Sequence, residues 1–502
     1  MTSDLLWTLI LIQIAMGAFD SIYHHELTER LPWRASQQHE LALHAVRNIL
    51  YAAVFILIGW FETHGVWAVV LLTILTIEVI VTLLDFVEED MSRALPASER
   101  INHTLLALNY GAILSLLVPV LVEWSRDATA LKPVYHGFWS ILTGVSAAGV
   151  IISGTRDYFA SRRAKRLVLD SARGLAAAIP EPRHVLVTGA TGFIGPRVVE
   201  ALSSAGHRVT VLARDPAKAT KLRPPFRLIT SLDQITNDET IDTIINLAGE
   251  PVANGFWTKA KRRKILRSRL SATRDVVRLI ARLDTTPSLL INGSAIGWYG
   301  LRGDETLTEA SRGKACFTNR ICDAWERMAA RAELHGTRVV WLRIGLVLGT
   351  EGGFLSRLLT PFESGLGGPI GNGQQWMSWI ERDDLVRLIA HVIVTPRVMG
   401  AVNATAPVPV RNAEFTRALA HAFRRPAFLP IPASMLRLLG DFADELFLAS
   451  QKVLPEKITA TGFEFRHTTI ESALSALLQY KPCEDGMRHT ANVAVAGSRA
   501  KA

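Results

Sequence analysis

The sequence is poor in charged residues for its length. Only 20% of the 502 residues are charged, 49% are hydrophobic, and the mean hydropathy is +0.21. This balance excludes a disordered chain and is unusual for a soluble protein of this size. The 55 basic and 46 acidic residues are nevertheless too many for a chain embedded wholly in a membrane. We therefore expect two unlike parts, within a chain long enough for about three domains of ~150 residues.

Cysteine is also scarce, which excludes a disulfide framework. Cys316, Cys322 and Cys483 show neither a C-x-x-C nor a zinc-type spacing, and we expect reduced thiols in a cytosolic compartment. The net charge of +9 has a local origin, since five basic residues lie between Arg156 and Arg166, directly after an apolar segment. That position follows the positive-inside rule and argues against nucleic acid as a partner.

Apolar runs before residue 156 predict a transmembrane helical domain of about five helices over residues 1–155. The runs cover residues 5–19, 49–61, 66–84, 104–122 and 135–155. A spanning helix needs about 20 mostly apolar residues, and the first run is short by that measure. A signal peptide is excluded there because the run has no preceding Lys or Arg and no A-x-A site follows.

The basic segment after residue 155 predicts the orientation of these helices. It places their C-terminal end in the cytoplasm, so that an odd number of spans puts the N-terminus outside. The sequence thus predicts a multi-pass protein of a bacterial-type inner membrane, with the lipid bilayer as a partner and the rest of the chain cytoplasmic.

Acidic and histidine residues concentrate near the ends of the predicted helices. Residues four apart share a helix face, and such pairs are Asp20 with His24, Glu40 with His44, and Glu99 with His103, while Asp85, Glu88 and Glu89 end the third run. Carboxylates and imidazoles on facing helices are how bundles bind metal ions. The candidate metal ligands are His24, Glu40, His44, Asp85 and His103.

The alternative to a metal site is that these acidic and histidine residues lie at the helix ends simply because the membrane surface there is hydrated. Glu78 differs from these residues because it lies in mid-span, where an ionisable group is costly and often functional. A packed, protonated glutamic acid is the other interpretation of Glu78.

A glycine-rich motif follows the membrane region. Residues 156–183 are basic, then Ala-rich, and predict a juxtamembrane linker. A strand over residues 184–188 then leads into Gly189-Ala-Thr-Gly-Phe-Ile-Gly195 and a helix from Arg197 to Ala205. Glycines between a strand and a helix predict a dinucleotide whose pyrophosphate lies at the helix N-terminus, the alternative being a turn without a ligand. The candidate cofactor contacts are Gly189, Thr191, Gly192, Phe193, Ile194 and Gly195.

The end of the next predicted strand, over residues 208–213, indicates NADP(H). An NAD-preferring site carries an acid there, whereas Arg214 suits a 2′-phosphate. Asp215 argues in the opposite direction, and a solvated turn arginine is the alternative.

Two later strands add residues to the site. Ligands bind at the carboxyl ends of strands in open parallel sheets. The strand over residues 243–248 therefore adds Leu247, Ala248 and Gly249 to the cofactor contacts, and the strand over 288–293 places Ser294 near the nicotinamide.

These segments resemble the extended short-chain dehydrogenase/reductase superfamily, and within it the atypical nucleoside-diphosphate-sugar epimerase-like branch. The segments that carry the resemblance are Thr188–Gly195, Asn246–Pro251, Ser294–Gly300, Leu342–Gly349, Gly365–Gly371, Asn403–Pro407, Arg425–Pro430 and Ser450–Lys457. The resemblance implies an α/β, Rossmann-type, doubly wound parallel sheet over residues 184–424 and a small C-terminal substrate lobe over 425–480. The membrane region resembles no family that we recognise, and residues 481–502 are predicted to be a disordered tail.

Catalysis does not follow from the resemblance. Ser294 matches the serine of the superfamily. The superfamily's Tyr-x-x-x-Lys pair would fall near Thr318 and Cys322, and neither of these side chains can replace the pair in proton transfer. Tyr299 is the remaining candidate proton donor, although a tyrosine there usually packs beside the cofactor site. Glu381 stands where relatives commonly have His.

The substrate cleft is expected near Trp379, Glu381 and Arg411. Two functions stay open. One is a membrane-tethered NADP(H)-dependent oxidoreductase or epimerase-like enzyme acting on a small, membrane-delivered molecule. The other is a non-catalytic NADP(H)-binding redox sensor or scaffold coupled to the helical bundle, which the missing Tyr and Lys favour and the retained Ser294 opposes. A metal ion in the bundle would link the two parts.

Overall fold

The computed structural model of the chain describes residues 4–34, 37–92, 95–166, 172–438 and 440–478. These residues divide into two compact units, Met1–Val168 and Leu169–Ala502. The tail predicted over residues 481–502 lies outside the described residues.

Five helices of the first unit are long and apolar enough to cross a membrane. They are α1 (Asp4–Phe19), which continues as a π-helix (Asp20–Thr28), α2 (Gln38–Trp60), α3 (Val66–Ser92), α4 (Ala97–Trp124) and α5 (Phe138–Arg166). Each of the five predicted apolar runs overlaps one of these helices. Two short antiparallel strands, β1 (Phe61–His64) and β2 (Ala130–Pro133), pair between the helices.

The bundle has an apolar core and an apolar outer surface. Trp7, Leu71 and Leu117 are buried in a common core, where α1 packs on α4 and α2 packs on α3 and α5. Leu108 and Ile152 on the outside are 68% and 71% exposed. Helices that are hydrophobic on all sides suit a lipid environment, because only there do the outward apolar faces cost nothing.

A seven-stranded parallel sheet forms the centre of the second unit. Its strands are β3 (His184–Thr188), β4 (Arg208–Leu212), β5 (Arg227–Ile229), β6 (Thr243–Asn246), β7 (Leu289–Ala295), β9 (Arg338–Ile344) and β13 (Gly400–Ala404). The spatial order is β13-β9-β7-β6-β3-β4-β5. After β5 the chain returns across the sheet and adds β6 on the other side of β3. The strand order therefore reverses between β3 and β6, and ligands bind beside such a reversal in folds of this kind.

Helices cover both faces of the sheet, as the doubly wound prediction requires. The covering helices are α6 (Gly195–Ser204), α7 (Lys259–Arg282), α8 (Phe317–Ala330) and α10 (Arg382–Val394). Val187 packs with α6 and α10 on one face, while Leu186 packs with α7 and α8 on the other. All residues of β3 and β6 are buried, which explains the apolar residues at their centres.

Short elements complete the second unit beside the carboxyl ends of the strands. They are β8 (Thr306–Leu307), β10 (Leu346–Leu348), α9 (Leu359–Glu363), β11 (Trp376–Met377), β12 (Trp379–Glu381), β14 (Val410–Arg411), α11 (Asn412–Phe423), α12 (Ala433–Arg437), α13 (Asp441–Leu446), β15 (Lys452–Val453), α14 (Glu456–Ala460) and α15 (Ile470–Leu478).

The segment predicted as a linker, residues 156–183, contributes to both units. Its first part continues α5 to Arg166. Leu175, Ala176 and Ile179 pack instead into the apolar core of the second unit.

Candidate functional site

The glycine-rich loop after β3 is folded tightly against its surroundings. Gly189 has a φ of +73°, and a Cβ there would lie 2.5 Å from the carbonyl carbon of Leu247. A Cβ on Gly195 would lie 2.4 Å from the carbonyl oxygen of Gly189. Both positions therefore require glycine, the first for its backbone conformation and the second for close packing.

Gly192 has a different environment, open on its outer side. A Cβ there would meet only the carbonyl oxygen of Gly189, at 3.3 Å. The following helix α6 begins after Ile194 with no side-chain cap, so its first backbone N–H groups are available to a ligand. An open glycine beside an uncapped helix N-terminus fits a dinucleotide pyrophosphate.

The remaining predicted loop residues surround this opening. Thr191 is exposed, and Phe193 is half-buried with the Arg382 guanidinium 5.5 Å from its ring centre. Ile194 lines the neighbouring cavity.

The end of β6 lies against the same loop. Leu247 donates its backbone N–H to the carbonyl of Thr188 at 3.1 Å and lines the cavity. Ala248 and Gly249 follow, and the Arg269 side chain packs on Gly249. The structure thus brings together the predicted contacts of β3 and β6.

Arg214 lies just beyond β4, at the edge of the sheet where the adenosine ribose of a dinucleotide is held in this fold. Its side chain is exposed and makes no ion pair with the described residues. Asp215, which argued against a phosphate, instead caps the following 3₁₀ turn by accepting the N–H of Ala217 at 3.2 Å. Arg214 is therefore available to a 2′-phosphate.

Ser294 lies at the carboxyl end of β7, next to β6, and is held by a buried ion pair. Its hydroxyl donates to Glu326 Oε1 at 2.7 Å. Arg343 donates to both carboxylate oxygens of Glu326, at 3.0 and 2.9 Å. The sequence pattern did not identify Glu326 or Arg343, because they come from α8 and β9 and meet Ser294 only in the folded chain.

Tyr299 is fully buried and lies away from the cavity lining. Its hydroxyl donates to Asn403 Oδ1 at 2.6 Å and accepts from Arg343 at 3.3 Å. Burial raises the pKa of this tyrosine. These contacts give Tyr299 a packing role beside Arg343, the alternative to proton transfer that its sequence context already suggested.

A cavity of about 380 Å³ opens beside Ser294. It reaches from the glycine-rich loop, at Ile194, to the segment that contains α13, and most of its surface is apolar. Other residues that line it are Val252, Arg269, Thr318, Ile321, Cys322, Trp325, Phe354, Gln375, Trp376, Met377, Ser378, Asn412, Glu445, Leu446 and Phe447.

Thr318 and Cys322, the positions predicted to replace the superfamily pair, both line this cavity. Burial raises the pKa of the Cys322 thiol to about 11, so that it stays protonated. Among the described residues that line the cavity, none is Tyr or Lys. The cavity therefore has room for a small substrate next to Ser294, but its described lining contains no tyrosine that could act as the proton donor.

The three predicted cleft residues stand behind the cavity wall and outside its lining. Trp379 is fully buried and donates to the Val408 carbonyl at 3.0 Å. Glu381 caps α10, and Arg411 stacks on Trp376 at 4.2 Å. The wall is formed instead by their neighbours in sequence, Trp376, Met377, Ser378 and Asn412.

In the first unit, the structure brings some of the predicted metal ligands together. Two groups of buried side chains each have ligand atoms within 4.8 Å of one another: Asp20, His25, Glu99 and His103, and His25, His44 and Glu89. His44 and His103 were predicted, whereas His24, Glu40 and Asp85 fall outside both groups. His25, which both groups contain, was not predicted.

Comparison with known proteins agrees with this architecture. The model of the NAD dependent epimerase/dehydratase family matches residues 185–404, and that of a domain of unknown function, DUF1731, matches residues 431–477. The Epimerase family protein SDR39U1 homolog, chloroplastic, of Arabidopsis thaliana is 38% identical over 303 residues, which cover 59% of this chain and 86% of the relative. Epimerase family protein YfhF of Bacillus subtilis is 35% identical, with 59% of this chain and 98% of the relative covered.

A solved structure shows the same fold. The crystal structure of human epimerase family protein SDR39U1 (isoform 2) with NADPH has a TM-score of 0.54 and 31% identity, and the match covers 59% of this chain and 100% of that chain. The resemblance seen in the sequence is confirmed, including its small C-terminal domain. The chain belongs to the NAD dependent epimerase/dehydratase family, with an apolar helical unit preceding the family domain.

Proposed function

We propose that this protein binds NADP(H) and acts as a membrane-tethered oxidoreductase or epimerase-like enzyme on a small, largely apolar molecule that carries a hydroxyl or carbonyl group. The observation that carries the proposal is the continuity between the glycine-rich loop and the cavity. Ile194 and Leu247, which border the pyrophosphate position, line the same cavity as Ser294.

The choice of NADP(H) over NAD(H) rests on Arg214. Its exposed guanidinium lies after β4 and can form charge-assisted hydrogen bonds with a 2′-phosphate. The related human protein was crystallised with NADPH, which supports the same cofactor here.

Ser294 is the residue that we assign to the substrate. Its single hydrogen is donated to Glu326, which leaves the Oγ lone pairs free to accept a hydrogen bond from a substrate hydroxyl. The cofactor, when bound, supplies or accepts the hydride. The buried Glu326–Arg343 pair keeps the serine rotamer fixed while the substrate oxygen is oriented.

The apolar lining sets the substrate class. Ile296, Ile321 and Trp325 contribute to the wall, most of whose surface is apolar, while Arg269, Gln375 and Asn412 offer polar contacts to a hydroxyl or carbonyl group. Apolar carbonyl compounds such as quinones or lipid-derived ketones fit this wall, and a bilayer would deliver them.

The membrane assignment rests on the first unit. Its five long apolar helices and exposed apolar outer surface support a bilayer-spanning bundle, and the basic segment after Arg156 supports a cytoplasmic family domain. Retention in the pellet after alkaline carbonate extraction would support the assignment, together with cleavage of the family domain by protease in inverted vesicles only. Release of the intact chain by carbonate would contradict it.

The activity is tested by mixing the full-length protein in mild detergent with NADPH under anaerobic conditions. The loss of reduced-nicotinamide absorbance is followed against a panel of quinones, ketones, aldehydes and sugar nucleotides. Oxidation with an apolar carbonyl compound supports the proposal.

The second candidate function is a non-catalytic NADP(H) sensor, which the absence of Tyr and Lys from the described cavity lining favours. Tight NADPH binding without turnover across the panel would favour the sensor. Absence of any NADPH binding would contradict both functions.

A further inference from the structure

One end of the helical bundle gathers buried carboxylate and imidazole groups from four helical segments. Asp20 and His25 lie on the π-helix after α1, and Glu99 and His103 lie in the first two turns of α4. Nearby, His44 belongs to α2 and Glu89 to the end of α3. All six side chains are at least nine-tenths buried. So many ionisable groups at a buried position need a compensating charge.

The π-helix decides which side chains face one another. A π-helix brings residues five apart onto one face, and here both His24 and His25 reach Asp20. His25 Nε2 accordingly lies 3.4 Å from Asp20 Oδ2 and 3.7 Å from Glu99 Oε1. Single π turns occur frequently at functional sites.

The carboxylate of Asp20 is held with one oxygen pointing toward His25. Its Oδ1 accepts hydrogen bonds from His24 Nδ1 at 2.9 Å and from Asn102 Nδ2 at 3.0 Å. Oδ2 is hydrogen-bonded to His103 Nε2 at 3.0 Å and lies 3.4 Å from His25 Nε2. His24 also contacts Ser98 through Nε2 at 3.2 Å, so both of its ring nitrogens are engaged outside the group.

His103 is oriented in the same manner. Its Nδ1 lies 3.2 Å from Glu89 Oε2, while its Nε2 lies 3.0 Å from Asp20 Oδ2. A carboxylate that accepts the hydrogen of one imidazole nitrogen fixes the tautomer and presents the other nitrogen as a ligand. Glu89 lies close enough to Nδ1 to do this for His103 when Nε2 binds an ion in place of its hydrogen bond to Asp20.

An independent observation at His25 also indicates that these side chains bind a ligand. His25 Nε2 is fully buried and makes no hydrogen bond with any described residue, although carboxylate oxygens lie on two sides of it. Leaving such a group without a hydrogen bond costs about 1–3 kcal/mol. Ligands at ~2.0–2.2 Å from an ion stand roughly 3–4 Å apart, which matches the spacing of oxygens and nitrogens here.

We propose that Asp20, His25, Glu99 and His103 bind one divalent first-row transition-metal ion through two imidazole nitrogens and two carboxylate oxygens. Two carboxylates neutralise the dipositive ion, which resolves the charge of this buried position. Mixed nitrogen and oxygen donors suit zinc, manganese or iron(II) and do not suit ions that require all-oxygen or thiolate sites.

The ion is tested by equilibrium dialysis of the full-length protein in mild detergent. The protein is stripped with a chelator and dialysed separately against Zn²⁺ and Mn²⁺, and bound metal is counted by mass spectrometry. We expect one ion per chain, and a higher thermal midpoint in its presence because the ion binds only the folded state. No saturable binding of either ion would overturn the proposal and leave a network of protonated histidines and carboxylates.

Variants distinguish this site from adventitious binding. His25→Ala and Glu99→Gln are expected to abolish stoichiometric binding, while His24→Ala, which removes the contacts to Asp20 and Ser98 but no proposed ligand, is expected to weaken it about 10–100-fold. The matched controls are His136→Ala, a histidine that packs on Trp7, and Glu78→Gln, a buried carboxyl outside both groups. Wild-type binding by folded His25→Ala or Glu99→Gln would overturn the proposal. If these variants fail to fold, the wild-type stoichiometry and His24→Ala decide the matter.

Discussion

Ser294 donates its hydroxyl hydrogen to Glu326 across 2.7 Å, and the Glu326 carboxylate also accepts hydrogen bonds from Nε and Nη2 of Arg343 at 3.0 and 2.9 Å. The carboxylate and guanidinium are 8% and 5% exposed. Ser294 is thereby linked to a buried ion pair that spans from α8 to β9. The serine orientation and the connection of α8 to the interior strands β7 and β9 depend on the same three side chains.

The first prediction concerns that ion pair. Glu326→Ala leaves the Arg343 cation buried without its partner, and we expect a loss of about 3–5 kcal/mol in the free energy of unfolding. Ser294→Ala removes one hydrogen bond and is expected to cost about 0.5–1.5 kcal/mol. Denaturant unfolding of the full-length protein in detergent, followed by tryptophan fluorescence, measures both values.

The double variant Glu326→Leu/Arg343→Met provides the control for this prediction. It removes both charges together and is expected to recover most of the loss. Equal destabilisation by the double variant and by Glu326→Ala would show that packing, and not the unpaired charge, is responsible.

The second prediction separates nucleotide binding from folding within one loop. Gly192→Val places its side chain in the open space beside the helix α6 N-terminus, so we expect NADPH affinity to fall at least about tenfold, equivalent to ~1.4 kcal/mol, with little change in stability. Gly195→Val drives a Cβ into the backbone of Gly189 and is expected to unfold the loop. Fluorescence titration with NADPH and thermal melting distinguish the two outcomes. Unchanged NADPH binding by a folded Gly192→Val variant would show that the pyrophosphate does not lie at this loop.

Local sequence signals predicted the nucleotide-binding part well. The strand over 184–188 has the predicted bounds, because its apolar centre is buried on both faces of a parallel sheet. The glycine-rich loop could also be predicted from local sequence, because the tight turn, the phosphate opening and the helix N-terminus all lie within a few residues.

The sequence predicted less well where partners meet only through tertiary packing. Glu326 and Arg343 are 17 residues apart and join Ser294 from different elements, and the cavity wall takes Trp376 and Phe447 from segments far apart in the chain. His25 was missed for another reason. The i,i+4 rule assumes an α-helix, whereas the π-helix over Asp20–Thr28 brings His25, five residues on, to Asp20 in addition to His24.

The third prediction tests cofactor choice at the end of β4. Arg214→Ala removes the cation available to a 2′-phosphate, and loss of one such charge-assisted contact, worth about 1.5–3 kcal/mol, weakens NADPH binding roughly 10–150-fold. NADH carries no 2′-phosphate, so its affinity should stay unchanged. Isothermal titration with each nucleotide measures the ratio.

Lys218→Ala is the matched control for Arg214, because Lys218 is an exposed cation on the same turn that lies 3.8 Å from Asp215. It should leave the preference for NADPH intact. Equal loss of NADPH and NADH affinity in Arg214→Ala would assign the arginine to the shared part of the two nucleotides.

The last prediction follows from Glu381, the buried cap of α10 whose carboxylate accepts the backbone N–H groups of Asp383 and Asp384. Burial, followed by the neighbouring Asp383 charge, raises the pKa of Glu381 to about 8 from an ordinary value of 4.5. Between these two values the folded protein holds a proton that the unfolded chain has released. The contribution of Glu381 is therefore fully present below pH 4.5 and is lost as the pH rises toward about 8, with a slope of up to about 1.4 kcal/mol per pH unit.

Glu381→Gln tests this sign directly. The amide oxygen can still accept both backbone hydrogens, while the titrating proton is gone, so the decline in stability between about pH 5 and about pH 8 should become shallower than in the wild type. Thermal midpoints of the full-length protein across this range give the comparison, with Glu464→Gln as a control at an exposed carboxylate. A slope in Glu381→Gln that equals the wild-type slope would mean that Glu381 is already ionised at pH 5, held by the two N–H groups at the start of α10. In that case the cap, and not the buried proton, would be what stabilises this helix end.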